Sequence, residues 1–249
     1  MDLSSIIGFI VVIIIIVVIL KVFKSIFKAL FTISTLLGIV IFIFMMILYQ
    51  DVSDFQTNFP ISEKLFLLEE NNTLLAGFSG TFTEETQPDL VTENELDSYQ
   101  SSFEENDLEA ILGNYYKLFI VKLDVFKDTK SIEFGDDALS VNFVFDLLYS
   151  NSPIDKYANY YIQSQGIPAS ALENVKKQLR NTFSSDEEFK GALFATLFGE
   201  ETQANSLFLF EEYKKDNIII YEETILFRTI KKLPFFLMKR FVKTENGAA

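Results

Sequence analysis

The chain has 249 residues and contains no Cys, His or Trp. Disulfides, the Ser–His–Asp triad and the Cys–His dyad are thereby excluded, and zinc, haem and iron–sulfur centres lose their usual ligands, so no cofactor or metal is expected. The formal net charge is −14, with 33 of the 35 acids but only 12 of the 21 bases lying between residues 51 and 227, and so acidic a body lacks the clustered Lys and Arg that phosphate binding needs, which argues against a nucleic-acid partner.

In chain order, residues 3–20 (LSSIIGFIVVIIIIVVIL) are 18 without a charge, and residues 29–49 are 21 more. As helices these runs reach about 27 Å and about 31 Å, against a hydrocarbon core about 30 Å thick. Both are apolar on every side, unlike a surface helix of a water-soluble domain. The lipid bilayer is therefore the expected partner of residues 1–50. The start, MDLSS, is acidic, and the first run ends in Lys with no A-x-A pattern, so a cleaved signal peptide is not expected.

Between the runs, Lys21, Lys24 and Lys28 share one helical face, while Val22, Phe23, Ile26 and Phe27 cover the other. Two arrangements fit. One is a transmembrane hairpin with spans at 3–20 and 29–49, its connector lying in the interface with the lysines toward headgroups. The other is a single long helix carrying a basic stripe. The run lengths favour the hairpin. Since the lysines are the only basic cluster beside the spans, the connector is expected in the cytoplasm and the acidic body outside it, in a multi-pass cell-membrane protein. Tyr49 reads as an interfacial aromatic at the exit. Asn71-Asn72-Thr73 is a sequon that fits an outward face.

Residues 51–60 (DVSDFQTNFP) read as a polar stalk, and 61–227 as the acidic body. Within it, 64–69 and 73–78 form an expected β-hairpin around Asn71-Asn72, because Asn tolerates positive φ. Residues 81–107, polar and acidic, read as a long loop. Residues 108–113 give a turn or two of helix. Residues 116–126 (YKLFIVKLDVF) alternate as a strand, with 131–134 as its neighbour. Helices are expected over 138–149, capped by Asp136 or Asp137, then over 154–163 and 170–183. Another covers 186–198, opened by a Ser185/Glu188 capping box and stopped by Gly199, and the next 204–215. A short buried strand follows at 218–221. The chain from Thr224 reads as a last helix, bent at Pro234. The fold class is α+β, a small mainly antiparallel sheet with a helical C-terminal half.

Few side chains suggest chemistry. The many carboxylate doublets do not make paired sites, because neighbours point to opposite faces of a strand or lie about 100° apart on a helix. Gly77-Phe78-Ser79-Gly80 resembles part of a nucleophile elbow, but position 81 is Thr. With no His, Ser79 would need Lys117 or Lys122 as its base. A Gly-bounded strand end is the plainer reading. Residues 228–249 form a basic amphipathic tail with Lys231, Lys232, Lys239 and Arg240. Together with Lys21, Lys24, Lys28 and Tyr49 these are the expected membrane-interface residues. The expected function is that of a non-enzymatic, membrane-anchored prokaryotic envelope protein, its outward acidic domain serving as an interaction or scaffold module with a membrane or envelope protein partner. A Ser/Lys-type hydrolase and an accessory subunit of a larger membrane complex are the alternatives.

Overall fold

The computed structural model describes residues 3–81 and 87–233; for residues 3–20 and at 22, 25, 26 and 29 it describes the backbone alone. The first element, α1 (Leu3–Asn58), is one unbroken helix. The hairpin expected at 21–28 is not formed. No Gly or Pro interrupts those residues, and Lys, Phe, Val and Ile all continue a helix, so run length alone had suggested the turn. Among the described residues one helix is long and apolar enough to cross a membrane, over Leu30–Asn58. None of that apolar stretch is buried, and Phe31, Phe42 and Val40 are more than half exposed. Thr32 and Thr35 donate their hydroxyls back to the carbonyls of Lys28 and Phe31 one turn earlier, which satisfies both groups on an apolar surface.

The chain divides into two compact units, residues 1–52 and residues 53 onward, with the boundary inside α1. Residues 53–58, expected as part of a stalk, are the last helical turns and belong to the second unit. Phe55 and Phe59 stack at 4.2 Å between ring centres and pack on its core. The polar letters of this segment hid two buried-side aromatics.

The second unit is built on a five-stranded sheet of order β3-β2-β1-β4-β7. β1 (Lys64–Glu70) and β2 (Thr73–Gly80) form the expected hairpin, with Asn71 and Asn72 at φ 52° and 65°. A bulge at Leu68/Glu69 leaves Leu75 unpaired and turns the end of the hairpin. β3 (Asp89–Leu90) edges β2 antiparallel. The chain then crosses one face of the sheet through α2 (Glu93–Glu104) and α3 (Leu108–Leu112) and re-enters as β4 (Lys117–Lys122), parallel to β1. Within the long loop expected at 81–107, strand β3 and the 12-residue helix α2 form instead. The start of α2 is a full capping box, Thr92 with Glu95. The S/T-x-x-E signature was present in the sequence, but the acidic composition outweighed it.

After β4 the residues expected to prolong the strand make a 3-10 turn at Leu123–Phe126. β5 (Ser131–Phe134) and β6 (Asp137–Ser140) form a separate two-stranded ribbon. The expected cap at Asp136 or Asp137 is replaced by Ser140, whose hydroxyl accepts from the Phe143 N–H at the start of α4 (Val141–Leu148). Gly135, at φ 61°, makes the two-residue Gly-Asp turn that pairs the strands. Then come α5 (Pro153–Ser164), α6 (Leu172–Thr182), α7 (Asp186–Ala204) and α8 (Phe208–Lys214). α7 runs through Gly199 instead of stopping there. β7 (Ile218–Tyr221) pairs antiparallel with β4, and α9 (Ile225–Lys232) ends the described chain. Pro234 and the tail beyond it lie outside the described residues.

Side-chain alternation along the strands sorts the core into two layers. Phe66, Leu68, Phe78, Phe119, Val121, Ile218 and Ile220 face α7, α8 and the ribbon, where Phe189, Phe194 and Phe198 meet them. Leu65, Leu67, Leu118 and Ile120 face the other way, onto Leu96 of α2 and Ile111 of α3. The fold is mixed α+β, a mostly antiparallel sheet covered by helices on both faces. Gly191 lets α7 lie directly on β2: a Cβ there would stand 2.6 Å from the Gly77 carbonyl oxygen.

Candidate functional site

The chemistry-bearing side chains of the body gather where β1 and β4 begin, just after α1 ends. Lys64 and Lys117 are register partners in the parallel pair, and both are buried. Alternation turns both toward the α7 side of the sheet, with Phe66 and Phe119 next along the same face. The Lys64 ammonium donates to the Ser62 carbonyl at 2.5 Å and lies 4.8 Å from the centre of the Phe59 ring. Burial pulls its pKa down to about 8. Lys117 donates to the Glu222 carbonyl at 2.9 Å and lies 5.2 Å from the Tyr116 ring centre. Next to them the Tyr116 hydroxyl donates to Asp54 at 2.6 Å, and the Asn58 amide donates to the other Asp54 oxygen. These two bonds hold the Asp54 carboxyl below the usual carboxylate range, with a smaller contribution from Lys117.

On the opposite face of the same strand ends lies a cleft of about 410 Å³ lined by Glu63, Tyr99, Ala110, Ile111, Gly113, Asn114 and Tyr115. Glu63 is held from both ends. Its carbonyl accepts from the Tyr116 N–H at 2.8 Å, and its carboxylate accepts from the Ser79 hydroxyl at 2.6 Å. Tyr99 of α2 and Tyr115 both line the cleft. Burial, aided by Tyr115 and the nearby Glu95 and Glu63 carboxylates, pushes the Tyr99 hydroxyl well above its ordinary range. A second cleft, of about 390 Å³, lies at the hairpin tip between Glu69, Glu70, Asn71, Asn72, Lys122 and Asp124.

Ser79 and its two candidate bases are not brought together. Ser79 stands opposite Leu65, on the α2/α3 face, and its proton goes to Glu63. Lys117 turns to the other face. Lys122 stands level with Glu69, four residues further along, about 13 Å on the strand axis, and donates to the Asp216 carbonyl. Among the described residues no group of three or more acidic side chains is placed to share a metal ion.

Of the expected interface residues, Lys21, Lys24, Lys28 and Tyr49 are exposed on α1. Lys231 is ion-paired with Asp216 and lies 5.1 Å from the Tyr213 ring centre. Lys232 is exposed, and Lys239 and Arg240 lie outside the described residues. Glu63 and Lys64 were missed in the sequence. They read there as ordinary charges flanking a strand, and only the pairing of β1 with β2 and β4 reveals what surrounds them.

Comparisons of the chain with protein-family models, with curated proteins and with solved structures each find no match.

Proposed function

We propose that this chain is anchored in a membrane by α1 and that its acidic body serves outside the cytoplasm as a binding module for other membrane or envelope components. The observation that carries the reading is the surface of α1: from Leu30 to Ile47 its large apolar side chains are exposed. Residues 29–49 match one bilayer crossing in length, which offers that surface the solvent it needs. Lys21, Lys24 and Lys28 flank the crossing on one side and Asp51 and Asp54 on the other. That asymmetry favours the lysine side as cytoplasmic and the body as extracytoplasmic, whether the chain crosses once or twice. The reading of the body as a module rests on its covered two-layer core and its surplus of carboxylates.

The absence of native Cys makes the test direct. A single Ser98→Cys, exposed on α2, is expected to react with a membrane-impermeant maleimide on intact cells. Labelling only after permeabilisation would place the body inside and overturn the orientation.

A second reading is favoured by the continuity of α1. Residues 3–49 as one helix extend about 70 Å, more than twice the hydrocarbon thickness. With 29–49 in the bilayer, the apolar run 3–20 requires another covering. This supports an accessory subunit of a larger membrane complex. Crosslinking followed by sizing in mild detergent would then show a complex much heavier than one chain, and a monomer alone would count against it.

A further inference from the structure

The cleft on the α2/α3 face is built from unlike parts that fit one kind of guest. Its carboxylate, Glu63, is not free to wander: Ser79 donates to one oxygen from a buried position, and the Glu63 carbonyl accepts from the Tyr116 N–H just before β4. Among the described residues no Lys or Arg pairs with Glu63, although seven other ion pairs form in the body. The neighbouring walls are two half-buried tyrosines, Tyr99 and Tyr115, with Ala110 and Ile111 behind them. Gly113, at φ 50°, turns the chain from α3 toward β4 and closes the end of the cleft without a side chain.

We infer that this cleft binds a primary alkylammonium group, its charge on the Glu63 carboxylate and its alkyl stem between Tyr99, Tyr115 and Ile111. A fixed carboxylate beside aromatic walls is the arrangement that separates a cation from a neutral group of the same shape. About 410 Å³ exceeds what a four-carbon amine needs and falls within the range of small-molecule sites. The surrounding surplus of carboxylates raises the local concentration of cations and disfavours anions. Two sources share this chemistry, a free amine and the lysine side chain of a partner.

The site stands apart from the membrane reading, so its failure would leave the Ser98 labelling result untouched. The test uses the full chain in a neutral maltoside micelle, with n-butylammonium, 1-butanol and acetyl-lysine methylamide as probes, each read by ligand-observed NMR against protein-free micelles. Weak but saturable binding of n-butylammonium is expected, with 1-butanol roughly tenfold weaker. Glu63→Gln keeps an acceptor for Ser79 and is expected to weaken the amine roughly tenfold while leaving 1-butanol unchanged. Tyr99→Leu should weaken both probes. Tighter binding of acetyl-lysine methylamide than of n-butylammonium would point to a protein-borne lysine, and the reverse to a free amine. Equal binding of amine and alcohol, undiminished amine binding to the Glu63→Gln protein, or no binding to the native chain would each overturn the inference.

Discussion

Lys64 shows how far one buried residue can set the pH response of the fold. Its side chain is fully buried, and its contacts include a carbonyl and an aromatic ring. Losing hydration penalises the charged form, which is why its pKa falls to about 8. The unfolded chain therefore holds this proton more tightly, and between about pH 8 and the ordinary lysine value the unfolded state binds more protons. Stability from this residue rises with pH across that window. Tyr99, Tyr157 and Tyr213 act oppositely: burial raises each of them, so above about pH 10 the folded state holds their protons longer and stability falls as pH rises. Urea unfolding of the full chain in micelles should become harder by about 1–2 kcal/mol from pH 7.5 to 9.5. Lys64→Met should flatten that rise and be the more stable protein at pH 7.5. An unchanged slope in the variant would show that Lys64 is hydrated in solution.

Among the elements, α7 and α9 show what packing demands of sequence. α7 carries two glycines with opposite roles. At Gly191 a methyl would collide with the backbone of β2, so Gly191→Ala should destabilise by about 1–3 kcal/mol despite better helix propensity. At Gly199 nothing outside the helix lies within 4 Å, so Gly199→Ala should stabilise by about 0.5–1 kcal/mol. Thermal unfolding of the pair against the native chain checks both signs at once. α9 is held by Phe227, fully buried with Phe55, Phe210 and Tyr213 around it. Its N-terminal approach is tied by Glu223, which accepts from the Tyr213 hydroxyl and from Arg228, and both contacts hold that carboxyl below its usual range. Phe227→Ala should cost about 3–5 kcal/mol, and hydrogen exchange should show α9 losing protection first. Equal loss of protection across the sheet would mean that α9 is integral to the cooperative unit.

For the whole molecule, the decisive question is how α1 meets the bilayer. A hairpin and a single crossing place the body on the same side but the N-terminus on opposite sides. A Ser4→Cys chain distinguishes them. With one crossing through 29–49 the impermeant maleimide should reach Cys only in permeabilised cells, whereas a hairpin would expose it on intact ones. The continuity of α1 favours the first outcome.

The amphipathic order of the body was largely legible in the chain. Alternation marked β4, Asn71-Asn72 marked the hairpin, and the Ser185/Glu188 cap marked the start of α7, because each is a local rule satisfied within a few residues. α2 and β6 were legible too, in Thr92-x-x-Glu95 and Gly135-Asp136, though composition masked the first and an expected cap the second. Sequence by itself determined the absence of Cys and His chemistry, the acidic surplus and the two long apolar N-terminal runs, all properties that do not depend on which residues become neighbours. Only the tertiary structure decided that Ser79 turns to Glu63 and away from both lysines, that Lys64 is buried, and that Glu63, Tyr99 and Tyr115 share a cleft. Those facts follow from strand register, where a one-residue step exchanges the two faces of a sheet and no single segment carries the information.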